Sequence, residues 1–238
     1  MIDSPSATPK AHTSNQRHPG LIYHLIGVVL GVAMIGGGVG LYEYRTARPP
    51  DPPGVQSVFP PEKVPSFALE DQNGKPFTLD RLRGKWTIMF FGYTHCPDFC
   101  PTTLTGLNGA FHRLEREAPR LAATTQVVFV SVDPFRDTPR VLSEFVAHFN
   151  KHFIGVTGPA TQLHRLADPL GASYDYSDPV SHAIFPDSVR PGIKEYVVDH
   201  SSGLYIFDDK ARAAAWVLPP HSPTRIVSVY THIRRLNE

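Results

Sequence analysis

Residues 86–101 read Trp86-Thr-Ile-Met-Phe-Phe-Gly-Tyr-Thr-His-Cys96-Pro-Asp-Phe-Cys100-Pro101. The run from Trp86 to Phe91 puts large apolar side chains on both faces of an extended chain, which predicts a strand at the centre of a sheet. Gly92 to His95 turns the chain, and Pro101-Thr-Thr-Leu-Thr-Gly-Leu107 opens a helical pattern. The chain has two cysteines, and both sit at this strand-to-helix turn. A helix N-terminus offers unpaired N–H groups and a positive dipole end, so it favours thiolates. The thiolate is the active form of a cysteine, as nucleophile or as metal ligand. The chemistry is expected here.

Four residues in helical geometry place two Cα atoms about 6 Å apart, inside the roughly 4.4–6.8 Å that a disulfide tolerates. The two sulfurs can therefore cross-link, or converge on one soft metal ion. Pro101 cannot donate a helical hydrogen bond and suits the first helical position, which leaves Pro97 to Cys100 as a separate tight turn. A purely structural disulfide is the bland reading. Closing a loop of about five residues gains only about 2 kcal/mol, and a soluble part of this size buries an adequate core without it.

With 238 residues, 41% apolar and 19% charged, the chain suits one globular domain with appendages. A net charge of +1 and the lack of any Lys/Arg run argue against a nucleic-acid partner. Residues 1–20 are polar and aperiodic and read as a tail. Residues 21–42 read as a transmembrane anchor: only His24 is strongly polar, and Leu25–Tyr42 is an unbroken apolar and glycine run, long enough to span a bilayer. A cleaved signal peptide fits less well, because the apolar core is too long and no Ala-x-Ala site follows. Lys10 and Arg17 before the span balance Arg45 and Arg48 after it, so charge does not orient it. Gly27/Gly31 and Gly36/Gly40 are small-xxx-small pairs of the kind found at helix–helix contacts.

Residues 43–63 read as a proline-rich linker, extended and semi-rigid through Arg48-Pro-Pro-Asp-Pro-Pro-Gly54. The globular part is set at 64–238. Asn73-Gly74 marks a hairpin turn, the Trp86 strand follows, and a helix runs from the cysteines to about Ala118. Val127–Val132 is a second apolar strand. Thr138-Pro139 caps a helix whose inner face is Val141, Leu142, Phe145, Val146 and Phe149. Leu163, Leu166 and Leu170 mark a short helix. Strands at Glu195–Val198 and Leu204–Phe207 precede a last helix capped by Ser222-Pro223, with Ile226, Val229, Tyr230, Ile233 and Leu236 inward. Strands alternating with helices predict an α/β sandwich with a mixed central sheet. Active cysteines after a central strand fit a thioredoxin-like domain, although thioredoxins carry two residues between their cysteines and this chain carries three.

Phe91-Gly-Tyr-Thr-His-Cys-Pro-Asp-Phe-Cys-Pro101 closely resembles the signature of the Sco/SenC family of copper-binding assembly factors. The likeness continues through Ser131-Val-Asp-Pro-Phe-Arg-Asp-Thr-Pro139, Phe153-Ile-Gly-Val-Thr-Gly158 and Val198-Asp-His-Ser201, in order, behind an N-terminal anchor. The resemblance implies that Cys96, Cys100 and His200 are copper ligands, and such a donor set suits Cu(I) and, with added hard ligands, Cu(II). His200 is read in a turn between two strands. His95 adjoins Cys96 but is expected to point away from it. Asp133, Arg136 and Asp137 read equally as loop-fixing salt bridges and caps or as functional groups. His182 and His221 have no motif behind them. Ser181–Lys194 and Asp208-Asp-Lys-Ala-Arg212, where a glycine turn is usual, depart from the family pattern.

The first functional expectation is a membrane-tethered copper metallochaperone. By resemblance it serves assembly of the copper A centre of a haem–copper oxidase. Its partners are then the copper-acceptor subunit and a copper donor or thiol-reductant protein. The resemblance places the domain on the periplasmic side, and a bacterial inner membrane is expected because residues 1–20 lack an Arg-rich amphipathic pattern. The alternative is a thiol–disulfide reductase, with Cys96 and Cys100 as a redox pair, that keeps the acceptor's cysteines reduced. A peroxiredoxin-like peroxidase is set aside, because that family has Thr or Ser three residues before its reactive cysteine, where this chain has Tyr93.

Overall fold

The computed structural model describes residues 19–46, 49–185 and 195–237. The expected tail is outside that set through residue 18, as are residues 186–194 of the divergent Ser181–Lys194 segment. The chain forms two compact units, divided after Pro49. The first is a helix, α1 (Pro19–Thr46), whose stretch Tyr23–Tyr42 is long and apolar enough to cross a membrane. Its 28 residues extend about 42 Å.

The second unit is built on an eight-stranded mixed sheet. Its strands are β1 (Val55–Lys63), β2 (Leu69–Asp71), β3 (Pro76–Phe77), β4 (Trp86–Gly92), β5 (Thr125–Ser131), β6 (Ile154–Thr157), β10 (Leu204–Phe207) and β11 (Arg212–Val217), in the order β1-β11-β10-β4-β5-β6-β2-β3. β4 is central and wholly buried, as its apolar run demands. Trp86, Ile88 and Phe90 enter one core, while Met89 and Phe91 enter the other. β5 pairs with β4 in parallel, Gly92 opposite Ser131, and divides Val127 and Phe129 from Val128 and Val130 in the same way.

One core is closed by three helices: α2 (Phe99–Glu117), α4 (Pro139–Phe149) and α6 (Pro223–Asn237). The Thr138 side chain caps α4 by accepting from the Val141 N–H; Ile226, Val229, Tyr230 and Ile233 are the buried face of α6. α3 (Pro119–Ala123) joins α2 to β5. The other core lies under α5 (Ala160–Ala167) and a second, three-stranded sheet. That sheet comprises β7 (Tyr174–Ser177), β8 (Ile184–Phe185) and β9 (Val197–His200), in the order β8-β7-β9.

Three expectations need correction. Residues 55–63, assigned to the linker, form β1 and pair with β11. The prolines at 60 and 61 disguised this strand, and an edge strand tolerates them because one side of its backbone needs no partner. The folded unit accordingly begins at Pro50 and not at residue 64. The helix after the cysteines starts at Phe99, two residues before Pro101; the first four N–H groups of a helix have no partner within it, so proline is harmless anywhere in that turn. Finally, His200 closes β9 opposite Tyr174 and does not lie in a free turn. The β10–β11 turn forms without glycine: Ala211 takes φ 60°, held by the buried Asp208, which accepts from the N–H groups of Lys210 and Arg212 at 3.0 and 2.8 Å.

Candidate metal centre

β4 delivers the chain to the centre of the sheet's carboxyl edge, and the turn that follows is fixed from within. Asp137, fully buried, accepts the Thr94 N–H at 2.8 Å, the Thr94 hydroxyl at 2.6 Å and the Ser131 hydroxyl at 2.5 Å. Burial raises its pKa against the hydrogen bonds that lower it. Asp133 holds the next turn, 2.5 Å from Arg136 Nε and 2.6 Å from the Tyr196 hydroxyl. The Arg136 guanidinium lies over the Tyr196 ring at 3.7 Å. These contacts hold the loop in place, the loop-fixing one of the two readings. His95 turns toward Thr94 and Asp137, its Nδ1 at 3.1 and 3.8 Å.

Within that frame the Cys96 N–H reaches the Tyr93 carbonyl at 3.3 Å, and the Cys100 N–H in the first turn of α2 points at Cys96 Sγ at 3.4 Å. A hydrogen bond from Cys100 holds the Cys96 thiol well below its usual range, against the opposing effect of burial. The same bond, with burial, pushes the Cys100 thiol up. The pair is thus a thiolate at half-buried Cys96 and a thiol at buried Cys100, and both are unbridged. Gly92 makes room for them: a Cβ there would stand 2.7 Å from Cys100 Sγ and 2.8 Å from the Phe129 ring.

His200 arrives from β9. Its Nε2 is 3.5 Å from Cys100 Sγ, and its Nδ1 is 3.1 Å from the Ser201 carbonyl. A carbonyl oxygen only accepts, so Nδ1 carries a proton and Nε2 is the nitrogen that faces the sulfurs, the orientation that a metal-binding imidazole needs. Phe90, Tyr93 and Phe99 surround the ring at centroid distances of 6.1, 5.9 and 6.0 Å. The ligating atoms of Cys96, Cys100 and His200 all lie within 4.8 Å of one another, the one such cluster among the described residues. Two sulfurs and an imidazole converging at that spacing fit a soft or borderline cation.

Sequence reasoning passed over two neighbours of this cluster. Tyr93 entered it only as the residue unlike a peroxidase's, yet it packs on the His200 ring. His221 had no motif, but it lies edge-on to Phe99 at 6.2 Å, its Nδ1 3.5 Å from the Thr103 hydroxyl and its Nε2 3.2 Å from the Val217 carbonyl. Burial lowers its pKa. Nothing in its local sequence announces this position; only the close approach of its loop to α2 does.

The chain is similar over this whole region to known proteins. A Stutzerimonas stutzeri protein named for copper binding is 41% identical over 128 residues, which are 50% of this chain and 60% of that one. The SCO2-like protein of Rickettsia felis is 30% identical over 213 residues, 86% of this chain and 95% of its own. The crystal structure of Arabidopsis thaliana ScoI with copper bound superposes with a TM-score of 0.61 at 29% identity, covering 72% of this chain and 98% of that one. The SCO1/SenC family model matches residues 55–235, beginning where β1 begins and including both cysteines and His200. With the thioredoxin-like sheet, the cysteine turn and the returning histidine all inside the matched span, this chain belongs to the SCO1/SenC family.

Proposed function

We propose that this protein is a membrane-tethered copper metallochaperone that serves assembly of the copper A centre of a haem–copper oxidase. The observation that carries the reading is the triad itself: the ligating atoms of Cys96, Cys100 and His200 lie within 4.8 Å of one another, with Nδ1 of the imidazole held by the Ser201 carbonyl. Soft Cu(I) selects thiolate sulfur, and the imidazole adds the borderline donor that extends the set to Cu(II). The copper-binding name of one relative and the copper-bound state of a solved one support the choice of metal.

Copper is cargo here. Cys96 is the more exposed of the two cysteines, so an incoming acceptor thiolate displaces that sulfur first, and ligands exchange one at a time. Loading releases the Cys100 proton, since a coordinating thiol is deprotonated. The α1 segment anchors the domain, residues 1–20 remain in the cytoplasm, and the folded unit works in the periplasm of a bacterial inner membrane. The tail, the anchor at 21–42 and a shortened linker are parts of that proposal.

The unequal thiols favour a second activity of the same site. The Cys96 thiolate can attack an acceptor disulfide and expel one acceptor thiolate. Cys100 then gives up its proton and attacks Cys96 Sγ, releasing the second thiolate and leaving Cys96 and Cys100 bridged. Two electrons pass to the acceptor, and a dithiol protein must restore the pair.

His200→Ala separates the two readings. It is expected to keep dithiol oxidation and reduction, to lose tight Cu(II) binding and to weaken Cu(I). The loss should exceed the roughly 10–100-fold that removing a ligand's outer partner costs. It should also fail to support oxidase assembly in cells lacking the wild type. Normal copper binding by this variant rejects the three-ligand site; poor binding with full assembly hands the function to the reductase.

A further inference from the structure

One side chain joins the proline-rich entry to the domain with the loop behind the metal centre. Arg225, in the first turn of α6, donates from Nη2 to the carbonyls of Pro53 at 2.8 Å and Leu218 at 3.3 Å, and from Nε to that of Pro220 at 3.1 Å. The entry segment is built around it. Gly54 has φ +69°, its carbonyl accepts the Leu218 N–H at 2.8 Å, and a Cβ on it would lie 2.9 Å from Arg225 Nη2. Upstream, Asp51 accepts the Ser57 N–H and hydroxyl at 2.8 and 2.6 Å, so the segment is pinned on both sides of its turn.

On its other side the loop leads to the metal centre. His221 follows Pro220, and its carbonyl presses on α2 so closely that a Cβ on Gly106 would stand 2.2 Å from the oxygen. The His221 ring meets Phe99, in the first turn of α2 with Cys100, and Thr103, one turn further on. Phe99 in turn lies 6.0 Å from the His200 ring.

We propose that Arg225 is a positioning residue for the metal centre. By gathering Pro53, Leu218 and Pro220 on one guanidinium it sets the seat of the His221 loop, and through His221 and Phe99 it orients the His200 imidazole toward Cys96 and Cys100. The way the entry segment is held is then felt at the ligands. A planar guanidinium can serve three carbonyls in fixed directions, which a lysine ammonium on a flexible stem cannot. The consequence for copper rests on the function proposed above; the orientation of His200 does not.

The test uses the full-length chain with Arg225→Lys, Gly54→Ala, Phe99→Leu and the Arg225→Lys/Phe99→Leu pair. In metal-free reduced protein, the ring NMR signals of His200 are expected to move in Arg225→Lys and Gly54→Ala, while those of His95 stay. The double variant should move them by less than the sum of its singles, the mark of a shared route. Cu(II) affinity is expected to fall by roughly threefold to tenfold, less than the roughly 10–100-fold that loss of a ligand's direct outer partner costs, and the Cys96–Cys100 disulfide should still form. Unmoved His200 signals in folded Arg225→Lys, or strictly additive shifts in the pair, overturn the proposal. Should Arg225→Lys not fold, Gly54→Ala decides by the same shift. A wild type that takes up no copper defeats the metallochaperone reading and leaves the NMR comparison to judge this one.

Discussion

Nε2 of His200 stands 3.5 Å from Sγ of Cys100, a hundred residues earlier in the chain. The other edge of the ring gives that distance its meaning: Nδ1 is committed to the Ser201 carbonyl, so Nε2 is the nitrogen left to face the sulfurs. Backbone pairing of β9 to β7 sets where the residue stands, and Phe90, Tyr93 and Phe99 limit how its ring turns. Ligands locked by packing and hydrogen bonds need little rearrangement on binding. The centre is pre-organised from both ends of the sequence.

The two thiols should differ in reactivity. Iodoacetamide is expected to modify Cys96 first, at a rate almost flat from pH 6 to 9. Below its pKa near 8.5, an ordinary thiol becomes about tenfold more ionised with each unit that the pH rises. The Cys96 pKa is lowered by its hydrogen bond from Cys100, so its thiolate fraction is already near its ceiling and cannot rise further. Cys100, pushed the other way and buried, should react only after unfolding. Peptide mass mapping of partly alkylated, metal-free protein settles the order, and early labelling of Cys100 contradicts it.

Gly92→Ala should damage the site from behind. The new methyl would lie 2.7 Å from Cys100 Sγ and 2.8 Å from a ring carbon of Phe129, both in a closely packed core. Overpacking of this kind costs about 1–3 kcal/mol. Calorimetry should show a lowered Tm, and the copper affinity of the folded fraction should fall with it. A variant with unchanged Tm and unchanged affinity would mean that the cysteine turn has slack the structure does not show.

Local signals made the centre of the fold legible. The β4 run could only be a buried strand, the cysteines fell at its end, and Thr138-Pro139 named the start of α4. His200 was reachable only through resemblance, because no local pattern says that β9 will pair with β7 and bring it back. The pairing of Tyr174 with His200 is a long-range fact, and Tyr174–Ser177 is too short to stand out as a strand. β1 was hidden for a different reason: Pro60 and Pro61 are linker signals, and an edge position alone excuses them. His221 shows the same limit, for it acquires a role only when its loop meets Gly106 and Phe99.

The boundary at Pro50 carries its own test. A fragment starting at Pro50 keeps β1 on β11 and the Asp51–Ser57 contacts. One starting at Val64 leaves β11 as an open edge, whose unpaired backbone invites association. The longer fragment is expected to be monomeric by light scattering and the shorter one to aggregate with a lower Tm. Equal behaviour of the two would reduce β1 to an ornament of the sheet.

His221 predicts an acid-sensitive increment of stability. Its pKa is lowered from 6.5 chiefly by burial; the Val217 carbonyl pulls it back in part, and the charge of Arg225 adds a smaller lowering. Between the lowered value and 6.5 the unfolded chain therefore binds more protons than the folded one, and stability falls as pH falls through that window. Below the window both states are protonated and the loss is complete. In His221→Gln the amide nitrogen can still donate to the Val217 carbonyl, but nothing titrates. The wild type should be the more stable of the two at pH 7, and the difference in Tm should narrow as the pH is lowered from 7 to 5. Because every carboxylate is common to both proteins, their titration cancels in that difference. A gap that stays constant over the range, or widens toward acid, shows that the ring is not buried in its neutral form against Phe99 and Thr103.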